Sequence, residues 1–304
     1  SLETLLNAGN YRDRIRFITV PRIKDVQRRA DFKKEKWKVS TPETTIDCSA
    51  TAYFFAKQIT ETLNLPVGLV INSWGGSRIE SWMTEETLSS IQGIDIETAK
   101  SSKLDVRNRL GCLYDIMLWP VKNYTARGFL WYQGESNIFN YQFYAPMMTA
   151  MVQLWRNVWE APDMPFYYVQ IAPYKYENSR NTGAALLREA QVEALKTIPN
   201  SGIVPTTDIG DEFCIHPPQK DVVGLRLATL ALTKTYGIRR LPSNGPMMTK
   251  VDYADKKAIV TFDNAPAGLF PTFSELEGFE IAGADKKFYP AKAKIVGRTN
   301  TVEV

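Results

Sequence analysis

The chain has 304 residues, 44% hydrophobic and 23% charged, with a formal net charge of +4. That length buries one large core and a smaller attachment, and so small a charge gives no ground for a nucleic-acid-binding protein. No run approaches eighteen apolar residues, so no membrane span is expected, and three dispersed cysteines with one histidine offer no zinc constellation and imply no cofactor.

The first residues, SLETLLNAGN, lack the basic start and apolar core of a signal peptide, which leaves localisation open. YRDRIRFITVP at 11–21 reads as an early strand closed by Pro21. Lys and Arg crowd RRADFKKEKWK at 28–38, read as a solvated face. ATAYFFAKQITETLN at 50–64 has the apolar stripe of a helix. PVGLVINSWGG at 66–76 is a buried strand running into a glycine turn. A helix-like stretch near 109–119 precedes GFLWYQGESN at 128–137, a second strand entering a polar loop. YAPMMTAMVQLWRNVWE at 144–160 is a helix and MPFYYVQIAPY at 164–174 a strand. A helix over 183–197, the segment GIVPTTDIGD at 202–211 and a helix within 218–235 complete the alternation. Such alternation predicts an α/β fold: a three-layer sandwich with one mainly parallel sheet covered on both faces. Beyond LPSNGP at 241–246 the rhythm changes to strand-like pieces, KKAIVTF, FEIAG and KAKIVG. The expected domains are therefore 1–241, α/β, and 242–304, a small β region with no obvious closing element.

Chemistry in such a sheet collects beyond the carboxyl ends of the strands. Three predicted strands end in unusual polar loops there: NSWGGSRIESW at 72–82, QGESN at 133–137 and DIGDEFCIHPPQK at 208–220. His216, the single histidine, lies between a strand and a proline-initiated helix. Imidazole titrates nearest neutrality and is the natural base for a hydroxyl nucleophile; the plainer reading is a structural loop histidine. Asp208, Asp211 and Glu212 are candidates to orient it, or turn-forming acids beside Gly210. Gly75 and Gly76 leave backbone N–H groups uncovered, as an oxyanion site requires, although many tight turns carry a Gly-Gly pair. Arg78 and Glu80 are read as an ion pair fixing the loop or as substrate contacts. Ser136, within Gly134–Ser136–Ile138, imitates a nucleophile elbow whose second glycine is missing. Trp74, Trp82, Trp131 and Tyr132 suit either sugar stacking or core packing.

These segments resemble the sialate O-acetylesterase-like carbohydrate esterases of the SGNH (GDSL-like) hydrolases. The resemblance rests on PVGLVINSWGGSRIESW, GFLWYQGESN, MPFYYVQIAPY, LLREAQ at 186–191, TTDIGDEFCIHPPQK at 206–220 and GFEIAGADKKFYPAKAKI at 278–295. It implies a flavodoxin-like sheet, a secreted or periplasmic setting, and hydrolysis of acetyl esters on sialic acid or acetylated polysaccharide through a serine acyl-enzyme. It assigns the base to His216, oxyanion donors to Gly76 and Gln133, and a supporting role to Glu135; read from the residues themselves, the candidate substrate contacts are Trp74 and Arg78, with Glu135 beside them. Ser136 then becomes a structural loop residue.

Two departures accompany it. The aspartate expected three residues before the histidine is replaced by Phe213, leaving Asp208, Asp211 or a Ser-His dyad. The Gly-Gln-Ser-Asn block that carries the family nucleophile is nowhere in the chain. The expectation is that it lies upstream of Ser1, together with a first strand whose loss lowers stability. The alternative is a non-catalytic carbohydrate-binding protein on an esterase fold.

Overall fold

The structure, a computed structural model, describes residues 2–32, 35–176, 182–239, 241, 244–254, 256–272 and 275–304. The chain divides into two compact units, residues 1–241 and 242–304. The predicted linker 241–246 lies partly outside the described residues, as does Ser1.

The first unit opens with α1 (Leu2–Leu6), followed by β1 (Ile15–Thr19) and β2 (Lys38–Val39). α2 (Pro42–Thr45) and α3 (Ala50–Leu63) then lead to β3 (Val67–Ile71). Ser49 caps α3 by accepting from the Ala52 N–H, and the helix stops at Asn64, left-handed at φ 57°. Tyr53, Ala56, Ile59 and Thr60, spaced to share one helix face, are buried. β1 pairs in parallel with β3, from Ile15 opposite Val67 to Thr19 opposite Ile71, while β2 pairs with β1 antiparallel.

The long excursion that follows carries α4 (Glu85–Ser89), α5 (Ile96–Lys100) and a buried π-helical turn at Tyr114–Leu118. A second sheet then forms from β4 (Phe129–Tyr132), β5 (Phe166–Val169) and β6 (Ser201–Val204), all parallel. Its helices are α6 (Tyr144–Val158), α7 (Gly183–Glu193) and α8 (Lys220–Lys234). Alternation along β5 sorts its side chains between two cores. Phe166 and Tyr168 join Met147, Met151, Trp155 and Leu187 of α6 and α7. Tyr167 and Val169 join Val223, Leu227 and Leu230 of α8.

The second unit contains β7 (Met247–Ala254), β8 (Lys257–Asp263), β9 (Glu280–Ala282), β10 (Phe288–Pro290), β11 (Lys294–Ile295) and β12 (Thr301–Glu303). They form an antiparallel sheet ordered β11-β12-β8-β7 and a β9–β10 ribbon, over a small core of Val260, Ala293, Ile295 and Val302.

The expected single, mainly parallel, flavodoxin-like sheet is therefore corrected. The described strands form four separate sheets, and three of these contain antiparallel pairs. The reason is physical. A strand–helix–strand pattern specifies a local crossover, whereas ladder continuity between β3 and β4 depends on partners separated by the whole 72–128 excursion. β3 and β4 form no ladder with each other, and Val70 and Leu130 in the middle of these strands remain 36% and 37% exposed. Among the described residues, no helix is long and apolar enough to cross a membrane.

Candidate active site

Of the loops following β3, β4 and β6, which the sequence singled out, the first two are hydrogen-bonded to each other, and the start of α8, just beyond the third, contacts the end of β4. The loop after β3 is pinned from three sides. Arg22 Nε donates to the Ser73 carbonyl at 2.9 Å, Arg107 Nη1 to the Gly75 carbonyl at 3.1 Å, and Asn72 Nδ2 to the Met117 carbonyl at 3.2 Å. Gly76 has φ +74°, a left-handed conformation that favours glycine, and a Cβ there would meet the Arg107 guanidinium at 3.4 Å. Its N–H has no partner among the described residues.

Trp82 and Trp131 belong to the core rather than to a sugar platform. They are 2% and 7% exposed and pack edge to face, with ring centroids 5.9 Å apart. Ser77 is buried, and its Oγ accepts from the Trp82 indole N–H at 3.0 Å. Trp74 is partly buried against the same core. Arg78 lays its guanidinium over the Phe139 ring, 4.5 Å from the centroid, while Glu80 takes amide partners instead of the expected pairing with Arg78.

The loop after β4 begins with Gln133. Its Nε2 donates to the Ser77 carbonyl at 2.9 Å and to Asn137 Oδ1 at 2.8 Å, so both amide hydrogens are engaged. Its Oε1 accepts from the Tyr144 hydroxyl at 2.8 Å, and its backbone carbonyl accepts from Gln191 Nε2 at 3.2 Å. Gly134 follows at φ +156°, where a Cβ would meet Ile171 Cγ2 at 2.6 Å and Leu187 Cδ2 at 2.9 Å. Only glycine lets this loop settle so closely on β5 and α7.

Glu135, half-buried, is the electrostatic centre of the cluster. Burial pushes its carboxyl above the usual carboxylate range, with the nearby charges of His216 and Lys220 pulling the other way. Burial and then the field of Glu135 push the Tyr132 and Tyr176 hydroxyls up to about 12. Lys220 sits over the Tyr132 ring at 4.9 Å, with Nζ 3.4 Å from its hydroxyl, tying the start of α8 to the end of β4. Burial lowers the Lys220 pKa and Glu135 opposes that shift.

A carboxyl with a raised folded-state pKa favours folding in its protonated form. That contribution is complete below the unfolded value and is lost as pH rises through the folded one. Glu135→Gln is therefore expected to melt above the parent near about pH 8, with the gap closing toward about pH 4. A gap in Tm that is the same at both pH values rejects this account of Glu135.

His216 is exposed on the loop between β6 and α8 and is followed by buried Pro217; Cys214 Sγ donates to its carbonyl at 3.2 Å. The acids named from sequence are engaged elsewhere. Asp208 pairs with Arg226 through two contacts of 2.8 and 2.5 Å, and that hydrogen bonding is the first cause of its lowered pKa. Asp211 Oδ1 accepts from the N–H groups of Phe213 and Cys214, fixing a turn. Glu212 pairs with Lys175 at 2.7 Å. The acid on which the charge of His216 acts is Glu135, which sequence reasoning had given a supporting role. Sequence reasoning also missed Tyr144 and Gln191; their placement on helices facing the YQGESN loop was the available signal.

Among the described residues, no group of three or more His, Cys, Asp or Glu side chains could hold a metal ion. A glycine turn, a buried carboxamide and an exposed imidazole on loops beyond strand ends of an α/β unit are the groups a hydrolytic site would draw on. Residues 29–233 match the family described as carbohydrate esterase, sialic acid-specific acetylesterase, and the chain belongs to that family. It is 27% identical to the sialate O-acetylesterases of Mus musculus, over 67% of this chain and 46% of that one, and of Homo sapiens, over 70% and 44%. It is also similar to the crystal structure of a carbohydrate acetylesterase from Xanthomonas citri, with TM-score 0.87 and 32% identity, covering 99% of this chain and 66% of that one. The chain spans about half the length of these curated relatives.

Proposed function

We propose that this polypeptide acts in hydrolysis of acetyl esters on sugars, with His216 as the general base for a serine. The observation that carries the reading is that the loop holding the Gly76 turn is bonded to the Gln133–Glu135 loop, while the one histidine of the chain lies near enough for its charge to act on Glu135. A serine hydroxyl attacks the acetyl carbonyl as imidazole takes its proton. The tetrahedral oxyanion collapses, and the sugar hydroxyl leaves with that proton. Water, activated by the same imidazole, then releases acetate and restores the serine.

In this reading the free N–H of Gly76 is an oxyanion donor. Gln133 joins it by exchanging one of its present amide contacts, and otherwise serves to hold the turn. Glu135 orients and compensates the imidazolium in place of Asp208 and Asp211. The serine is delivered by a Gly-Gln-Ser-Asn-like segment outside residues 1–304. Trp74 and Arg78 stand at the rim where the sugar enters, and a secreted or periplasmic setting goes with a glycan substrate.

O-acetylated sialic acid and acetylated polysaccharide are the two substrate classes to separate, since an acetyl group needs only a small pocket. Acetate release from a panel of both, by the full-length protein, tests the reading. Release from one or both is expected. Glycan binding with no acetate released from any would replace it with a carbohydrate-binding role.

A further inference from the structure

Asn137 is fully buried and makes every hydrogen bond its carboxamide allows. Its Oδ1 accepts from the Ile79 N–H at 3.0 Å and from Gln133 Nε2 at 2.8 Å. Its Nδ2 donates to Glu80 Oε2 at 2.8 Å and to Asn140 Oδ1 at 3.1 Å. Glu80, 6% exposed, has its second oxygen filled by Asn140 Nδ2 at 2.8 Å. One side chain therefore joins three things: the backbone just beyond the Gly76 turn, the amide of Gln133, and a buried carboxylate.

We propose that Asn137 is a positioning residue, anchored by Glu80, that fixes the Gly76–Ile79 turn relative to Gln133 and so sets the geometry in which an oxyanion is received. The inference rests on the functional reading above. A hydrophobic core alone would not set this separation, because both loops are polar and leave their strands in different sheets. The network replaces the ladder that β3 and β4 do not form: it links the two sheets through side chains at their carboxyl ends. A saturated buried carboxamide is also intolerant of sliding, since any shift leaves a polar group unpaired.

N137D is the informative variant because it keeps shape and both acceptor contacts. It removes the two donors and sets a carboxylate against Glu80, and two such groups at hydrogen-bond distance cannot both ionise comfortably. The other titratable groups around the network are Glu135, from the loop after β4, and Tyr144 of α6, which feels both Glu80 and Glu135.

In the full-length protein, N137D is expected to lower kcat on an acetylated substrate on the order of 10²-fold near pH 8, the scale of one misplaced oxyanion donor. Its ratio to parent should recover toward about pH 5, where a shared proton restores the lost hydrogen bond. The double variant E80Q/N137D, in which the new amide donates to the new carboxylate, should return kcat to within about threefold of parent and KM with it. Amide exchange of the peptide spanning 76–80 should rise in N137D and fall back in the double variant, a readout that needs no activity.

Folded N137D with parental kcat at high pH and parental exchange overturns the proposal, as does a loss with neither pH recovery nor rescue by E80Q. If N137D does not fold, E80Q alone, which faces one amide N–H with another, must show the same rise in exchange or the proposal fails. A parent that releases no acetate rejects the functional reading, while the exchange measurement still decides the positioning.

Discussion

Replacing His216 with alanine in an acetate-releasing form of the protein is expected to lower kcat by roughly 10³-fold or more. The expected loss is large because a neutral serine hydroxyl is a poor nucleophile. In the proposed mechanism the same imidazole that removes its proton also protonates the departing sugar, so both chemical steps would lose their catalyst together. No second imidazole exists in the chain to take over. The substitution itself is mild for folding, since His216 is exposed and its backbone carbonyl, not its ring, is what Cys214 contacts. Loss of activity with an unchanged Tm therefore reads as chemistry. Asp208→Asn and Asp211→Asn serve as controls: their carboxylates hold Arg226 and a turn, so kcat within a few fold of parent is expected for each. H216A activity within tenfold of parent removes the imidazole from the mechanism, and a large kcat loss in D208N or D211N moves the acid from Glu135 to that residue.

What the sequence disclosed and what it concealed divide along a physical line. β5 was legible because FYYV between two helices is a buried strand whatever its partners, and α3 because its apolar stripe recurs at helical spacing. The three candidate loops stood out because polar groups at the ends of apolar strands have no packing reason to be there. Sheet continuity was not legible: nothing in VGLVI or FLWY states which edge is paired, and the separation of β3 from β4 is a property of the excursion between them.

The partners of the acids were hidden for a similar reason. Asp208 and Asp211 are close to His216 along the chain, but Arg226 of α8 binds Asp208, while Asp211 closes its own turn. Glu135, distant in sequence, lies where the charges of His216 and Lys220 act on it, and the Lys220–Tyr132 contact ties α8 to β4 beside it. The role of Asn137 was equally hidden, because saturation of a carboxamide is visible only when all four of its partners are in place.

The prediction with the sharpest outcome concerns the nucleophile. A serine-reactive fluorophosphonate, followed by peptide mapping, is expected to label the full-length protein on a serine outside residues 1–304 and to leave the serines of this chain unlabelled at stoichiometric dose. Reaction with such a probe requires a hydroxyl whose proton an adjacent base can take and whose adduct is met by oxyanion donors. Ser77 does not qualify: it is 6% exposed, and its Oγ is held by the Trp82 indole. Ser136 stands in the loop between Glu135 and Asn137 without the family's nucleophile surroundings, and Ser1 lies outside the described residues. On the proposed mechanism, residues 1–304 expressed alone should release acetate at no more than about 10⁻³ of the full-length rate, since the proposed base and oxyanion donors would act without the proposed nucleophile. H216A in the full-length protein should slow labelling of the outside serine, which ties the nucleophile to this imidazole rather than to another base. Stoichiometric labelling of Ser136, Ser77 or Ser1 overturns the proposal and makes that residue the nucleophile, with the Gly76 turn and Gln133 then judged by their distance from it.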